Sequence, residues 1–335
     1  MLPTPVSYHT KRDSISRSKR PLRDVLLARA RVTNLGLCIL ICIASVSLLV
    51  NLGYYSSSGP TTHLISSELL PHPEISTVEH DSQLLSLDHL VMVPGHAIWK
   101  GSKPGRVLDE ENWLLEPYQA TKGRLEAFYN HIARGVETTL GDEHALLVFS
   151  GGQTKKTSTT TEAESYLRLA HAASMLPEEH FTRVTTEDDA LDSYQNLLFS
   201  IARFHEYAGR YPSRITVVGY EFKRRRFTEL HRAALRWPDD RFHYIGIDAE
   251  GEDLTTAQTG EVSRRENGFL PYAQDVYGCH DFLLAKRRSR NVANRFHSYF
   301  TSSPELAGLF NWCPGPDEGG QTALYAGPLP WDYLR

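Results

Sequence analysis

Residues 145–164, ALLVFSGGQTKKTSTTTEAE, carry three structural signals in one stretch. Ala145–Phe149 is an apolar run too short for a helix and closed by Ser150-Gly151-Gly152, which is how a buried parallel strand reads. A polar loop follows, and from Glu162 the apolar positions Tyr166, Leu167, Leu169, Ala170 and Ala173 fall at helical spacing. Strand, glycine turn and helix start make a βα corner. In open α/β sheets such corners line the crevice beyond the carboxyl ends of the strands. Two glycines permit close backbone approach to a ligand, and the first helix amides are donors suited to an anion. The plain alternative is a flexible loop.

Working outward, the same alternation recurs. Leu87–Val93 is an apolar run ending at Pro94-Gly95-His96, and a polar loop, 96–117, leads to a helix expected over Tyr118–Thr139. Beyond the central corner come a helix to Met175, a short strand near Arg183–Thr185 and an amphipathic helix over Leu191–Tyr207. A strand at Ile215–Val218, a basic helix over Lys223–Trp237 and a more exposed strand, Phe242–Ile247, complete the series. Five strands alternating with helices predict a Rossmann-like, three-layer, doubly wound parallel α/β sheet. Residues 251–335 are less regular. Helices are expected over Gly260–Cys279 and Phe282–Phe296, and the Gly/Pro-rich end is expected to wrap the surface.

The N-terminal region has a different character. The net charge is −4, yet residues 1–33 hold eight Lys or Arg against Asp13 and Asp24, leaving the remainder at −10. An acidic bulk excludes a nucleic-acid partner. Leu35–Leu52, LGLCILICIASVSLLVNL, contains no charged residue. As a helix it measures roughly 27 Å, close to the hydrocarbon thickness of a bilayer. Its length, basic flank and lack of a small-residue cleavage site favour a signal anchor over a cleaved signal peptide. The positive-inside rule then predicts a single-pass type II protein with its main domain in the lumen of the endoplasmic reticulum or Golgi. The expected division is a disordered basic leader (1–33), a transmembrane segment (34–53), a Ser/Pro-rich stalk (54–81), the α/β domain (82–250) and an extension (251–335). Cys279 and Cys313 would lie where a disulfide is permitted, but sequence alone leaves their pairing open. No N-glycosylation sequon, Walker loop, GxSxG elbow or HExxH motif occurs.

The proposed sheet would gather polar residues at its strand ends. His96, Glu162 and Glu187 are the candidate acid–base groups. Gly95, Ser150, Gly151, Gly152, Asn196, Glu221, Arg224 and Arg225 are candidate ligand contacts. Each has a bland reading: a surface histidine, a carboxylate favouring a helix dipole, a helix N-cap at Asp192 or Ser193, or a solvated charge run. Lys223-Arg224-Arg225-Arg226 at a helix start oppose the dipole, so they are expected to face a small anionic ligand.

The order of Gly95-His96, Ser150-Gly151-Gly152 with Glu162-Ala163, Glu187 with Ser193 and Asn196, and Gly219 through Arg225 resembles the YdcF/SanA/ElyC-like family. The resemblance covers about half the chain, Asp88–Asp248. It implies a Rossmann-like fold, envelope association and, in one branch, S-adenosylmethionine as cofactor. The family's Ser and His at the fourth strand end correspond to Gly219 and Phe222, with Arg225 in the place of its Arg. Chemistry that needs that His would pass to Glu221 or His96. The resulting expectation is an enzyme acting on a phosphate-bearing or nucleotide-like small molecule, the alternative being a noncatalytic binding or scaffold protein.

Overall fold

The computed structural model describes residues 29–57, 84–101, 103–119, 123–177, 181–248 and 268–334. The chain divides into two compact units, Met1–Ile75 and Ser76–Arg335. The described part of the first unit is one 29-residue helix, α1 (Arg29–Ser57). Among the described residues no helix is long and apolar enough to cross a membrane. The side chains described in α1 are those of Gly36 and residues 38–53, so part of the expected span, Leu35 and Leu37 included, falls outside them. Most of the expected leader and stalk also lies outside the described residues.

The second unit is built on a five-stranded parallel sheet. Its strands are β1 (His89–Pro94), β4 (Ala145–Ser150), β5 (Val184–Glu187), β6 (Arg214–Gly219) and β7 (Phe242–Gly246), in the order β5-β4-β1-β6-β7. The register sets Pro94 beside Ser150, Ser150 beside Glu187 and Gly219 beside Gly246, so the strands end at one level. The chain runs from β1 outward through β4 to β5, then returns across β1 to β6. The direction therefore reverses between β1 and β6, the kind of switch point where doubly wound sheets leave a crevice. The five strands expected from sequence are all present.

Period-two alternation splits the strand residues between two cores. Val91, Val93, Leu147, Phe149 and Val218 pack under α2 (Arg124–Leu140) and α3 (Glu162–Ala172). Leu90, Met92, Leu146, Val148, Ile215 and Val217 pack on the other face against α4 (Ser193–Ala208). Both cores are buried, which completes the three layers. Thr161 caps α3 by accepting from the Glu164 amide, and Asp192 caps α4 by accepting from the Gln195 amide. Of the two residues weighed as the α4 cap, Asp192 takes the role.

Four local expectations are corrected. The 96–117 loop contains an antiparallel pair, β2 (Ile98–Trp99) with β3 (Trp113–Leu114), held by buried tryptophans. Helix α2 starts at Arg124, after a left-handed Gly123, rather than at Tyr118. The segment after β6 is no ordinary α-helix: a 3₁₀ turn (Glu221–Lys223) precedes a π-helix (Arg226–His231), which ends in one α turn (Arg232–Ala234). Of the helix expected over Gly260–Cys279, residues 260–267 lie outside the described residues and the rest holds α5 (Phe269–Gln274), while the helix expected over Phe282–Phe296 becomes α6 (Asp281–Arg290). Asn291 ends α6 by exchanging side-chain hydrogen bonds with the Arg295 backbone.

The end of the chain does more than wrap the surface. Leu306, Leu309, Leu329 and Trp331 join the core beneath β6 and α4. The Trp331 ring lies 5.1 Å from Trp237, and its indole donates to the Leu235 carbonyl at 2.7 Å. Cys279 and Cys313 are paired in a disulfide.

Candidate functional site

The carboxyl ends of β1 and β4 and the start of α3 meet closely. A Cβ on Gly95 would lie 2.5 Å from the Glu162 Cβ. One on Gly151, whose φ is +154°, would meet Glu162 at 2.9–3.0 Å. Glycine is therefore required at both positions to admit the Glu162 side chain. The Glu162 carboxylate accepts from Thr154 Oγ1 at 2.7 Å.

The amides expected to cradle an anion are occupied. Gly95 N–H donates to Ser150 O, Gly151 to Glu187 O and Gly152 to Ala190 O. At the α3 start, the Glu162 and Ala163 amides donate back to Gly152 and Gly151. This corner is stitched shut by its own backbone, so it positions Glu162 rather than binding anions through its N–H groups.

Ser150, Glu187 and Asn196 form a second, buried group. Ser150 Oγ lies 2.6 Å from Glu187 Oε2 and 3.0 Å from Asn196 Oδ1. Glu187 Oε1 accepts from the Asp189 and Ala190 amides, and the Tyr299 hydroxyl reaches it from the C-terminal extension at 3.4 Å. Burial pushes the Glu187 carboxyl up to about 8, against the opposing effect of the Ser150 and Asp189 hydrogen bonds. With Glu187 completely buried, this network locks β4, β5 and α4 together and presents no carboxylate to a ligand.

The crevice itself belongs to His96 and Lys223. Lys223 Nζ donates to His96 Nδ1 at 3.2 Å across the β1/β6 switch point. The His96 ring stacks on Tyr220 at 5.1 Å, and its amide donates to the Tyr166 hydroxyl. Burial, then the Lys223 charge, holds the His96 imidazole well below its usual range, while its Nε2 is buried without a hydrogen-bond partner. Among the described residues Lys223 makes no ion pair; its ammonium lies over the Tyr220 and Phe222 rings. Burial, then Arg226 and Arg290, press the ammonium well below its ordinary range, with Glu162 acting in the opposite sense. Behind it, His131 is pushed down to about 4 by burial, its Nε2 facing the Ile247 carbonyl at 2.8 Å.

The arginines divide otherwise than the sequence reading has it. Arg224 is spent on Glu221, at 2.5 and 2.7 Å, and on the Tyr244 carbonyl. Arg225 is exposed and paired with Glu229 at 2.8 Å, its guanidinium over the Phe269 ring. Arg226 instead is buried. Its NH1 lies 3.3 Å from Ser193 Oγ, and its Nε is buried without a partner. Ser193 Oγ is also 2.9 Å from His231 Nε2. Lys223 and Arg226 were visible only as members of a charge run, and His231 carried no signal.

No family model matches the chain, and no solved structure matches it. An uncharacterised protein of Saccharomyces cerevisiae, YOR238W, is 30% identical over 261 residues, an alignment covering 63% of this chain and 86% of the yeast protein. At that identity and coverage, the chain belongs to the same family as the yeast protein YOR238W.

Proposed function

We propose that this chain is a membrane-anchored, YdcF-like α/β protein whose switch-point crevice binds a small phosphate-bearing molecule, nucleotide or sugar phosphate, and acts on it in the secretory pathway. The observation that carries the ligand class is Lys223. A half-buried ammonium with no ion pair among the described residues, beside the buried Arg226, is a site short of negative charge. A phosphate oxygen would supply that charge, and charge-assisted bonds of this kind are stronger than neutral ones. Glu162 and the neutral His96 stand ready for proton transfer nearby. S-adenosylmethionine fits the lining poorly, since its sulfonium would add a cation beside Lys223; no step is assigned to it.

The anchor rests on the uncharged run Leu35–Leu52 within α1 and on the basic residues before it. The Cys279–Cys313 disulfide supports a lumenal domain, because such bonds persist in oxidising compartments. Phe222, at the position of the family's His, favours the second reading, a noncatalytic binder that uses the same crevice.

The test uses full-length protein in detergent, titrated with inorganic phosphate and followed by thermal shift and calorimetry. Binding should raise the melting temperature and give a measurable heat. Lys223→Met should lose both responses. Equal phosphate responses in the parent and Lys223→Met would sink the ligand assignment.

A further inference from the structure

The π-helix after β6 places two side chains that an α-helix would separate. In i→i+5 winding, residues five apart share a face, and the Arg232 amide bonding to the Phe227 carbonyl shows that spacing here. Arg226 and His231 are five apart, and both reach Ser193 Oγ, at 3.3 Å and 2.9 Å. In α-helical winding the two would point about 140° apart, by the 3.6-residue turn. The unusual winding therefore builds a three-residue constellation on the first residue of α4.

We propose that Ser193 is the nucleophile of a phosphate-ester hydrolase, with His231 as its base and Arg226 holding the phosphoryl oxygens. This rests on the phosphate reading of the crevice. Ser193 is half-buried while His231 is completely buried, so of the two Ser193 is the one nearer solvent; the Tyr272 ring packs against His231 at 4.6 Å. Burial, then the Arg226 and Arg287 charges, keeps the imidazole neutral, the form that accepts a proton. Arg226 Nε is an unpartnered donor on a residue 6% exposed, and its guanidinium stands at the N-terminus of a sixteen-residue helix, where anions are favoured. Arg287 and Arg290 approach the same turn but are engaged by Asp192 and the Leu191 carbonyl. Arg226 makes no ion pair among the described residues; its guanidinium lies over the Tyr272 ring, 5.7 Å from the centroid.

The chemistry balances without a further reagent. In the Nδ1–H tautomer, Nε2 takes the Ser193 proton as Oγ bonds to phosphorus. The ester P–O bond breaks, and the departing alcohol oxygen receives that proton from His231. Water then attacks the phosphoserine and gives a proton to His231. The Oγ–P bond breaks, Ser193 recovers its proton, and inorganic phosphate leaves. No carboxylate backs His231 Nδ1, which is unpartnered, so a slow enzyme is expected.

The test is p-nitrophenyl phosphate with full-length protein, acid-quenched during turnover and digested for mass spectrometry. The expected result is p-nitrophenol release and a phosphoryl group on the peptide containing Ser193. Ser193→Ala should abolish both while keeping the thermal shift with inorganic phosphate. His231→Asn should slow release by roughly 100-fold or more, the usual contribution of a positioned base. Arg226→Lys provides a folded control in which charge stays and the fork geometry goes, and its release should fall as well. Phosphate binding by a parent protein that releases no p-nitrophenol overturns the nucleophile and leaves the binding reading intact. Loss of binding in the parent removes the earlier reading instead. Activity on p-nitrophenyl acetate alone, or release undiminished in Ser193→Ala, also overturns the proposal.

Discussion

Glu187 shows what burial does to a residue that looks catalytic in the sequence. Its carboxyl titrates near 8 in the fold against an ordinary 4.5, so between those values the folded state holds a proton that the unfolded chain has released. Stability from this group is fully present below about pH 4.5 and is lost as pH rises through about 8. The slope should approach about 1.4 kcal/mol per pH unit, the limit for one proton. Glu187→Gln mimics the protonated form. Urea melts of the variant should show a flatter pH profile between 5 and 8 and greater stability than the parent at pH 9. A parent and variant with parallel profiles would mean that Glu187 is ionised in the fold. Acidic strand ends are legible in sequence, but which of them faces water is not. Glu162 opens α3 and Glu187 closes β5, and both look like site carboxylates in the sequence. Tyr299, more than a hundred residues away, joins Ser150 and the Asp189 and Ala190 amides in enclosing Glu187.

Elements were legible to the extent that their periods are regular. β1, β4 and β6 are continuous apolar runs and stand where those runs stand, whereas β5, Val-Thr-Thr-Glu, has no such run and lies at Val184–Glu187 rather than near Arg183–Thr185. The β2–β3 pair escaped because two residues per strand carry no period. The π-helix escaped because a 3.6-residue template assigns Lys223–Trp237 one continuous face; Arg225 is singled out by the family resemblance and not by the winding. The disulfide closes the 34-residue separation between Cys279 and Cys313 at the element level. On the chain-entropy model it contributes roughly 3–4 kcal/mol. Cys279→Ser with Cys313→Ser should lower the melting temperature of the domain while leaving the phosphate response of Lys223 in place. An unchanged melting temperature would show that the clip adds nothing.

At the scale of the molecule, the proposed anchor makes a prediction about orientation. Protease added to intact microsomes should trim the basic leader and leave everything beyond Ser57 protected. Digestion of the sheet domain without detergent would reverse the topology and remove the lumenal site of action. The overall architecture was open to the sequence because alternating strands and helices admit few arrangements. The role of the tail was hidden, since Gly- and Pro-rich segments read as surface whatever their aromatic residues do.

Trp331, fully buried against Trp237, is where that tail matters most. Its removal to Ala should cost about 3–5 kcal/mol, the range for large aromatic deletions in a packed core, as chemical denaturation would measure. A loss below about 1 kcal/mol would show the pocket to be dispensable. The position of that indole also sets a timetable for synthesis. A nascent chain that has delivered all five strands still lacks one of the large side chains of the core on that face of the sheet. The domain reaches its full stability only once residue 331 has left the ribosome. Until then, Trp237 and its neighbours are open to chaperones, and premature stops even a few codons before 331 should route the product to quality-control degradation.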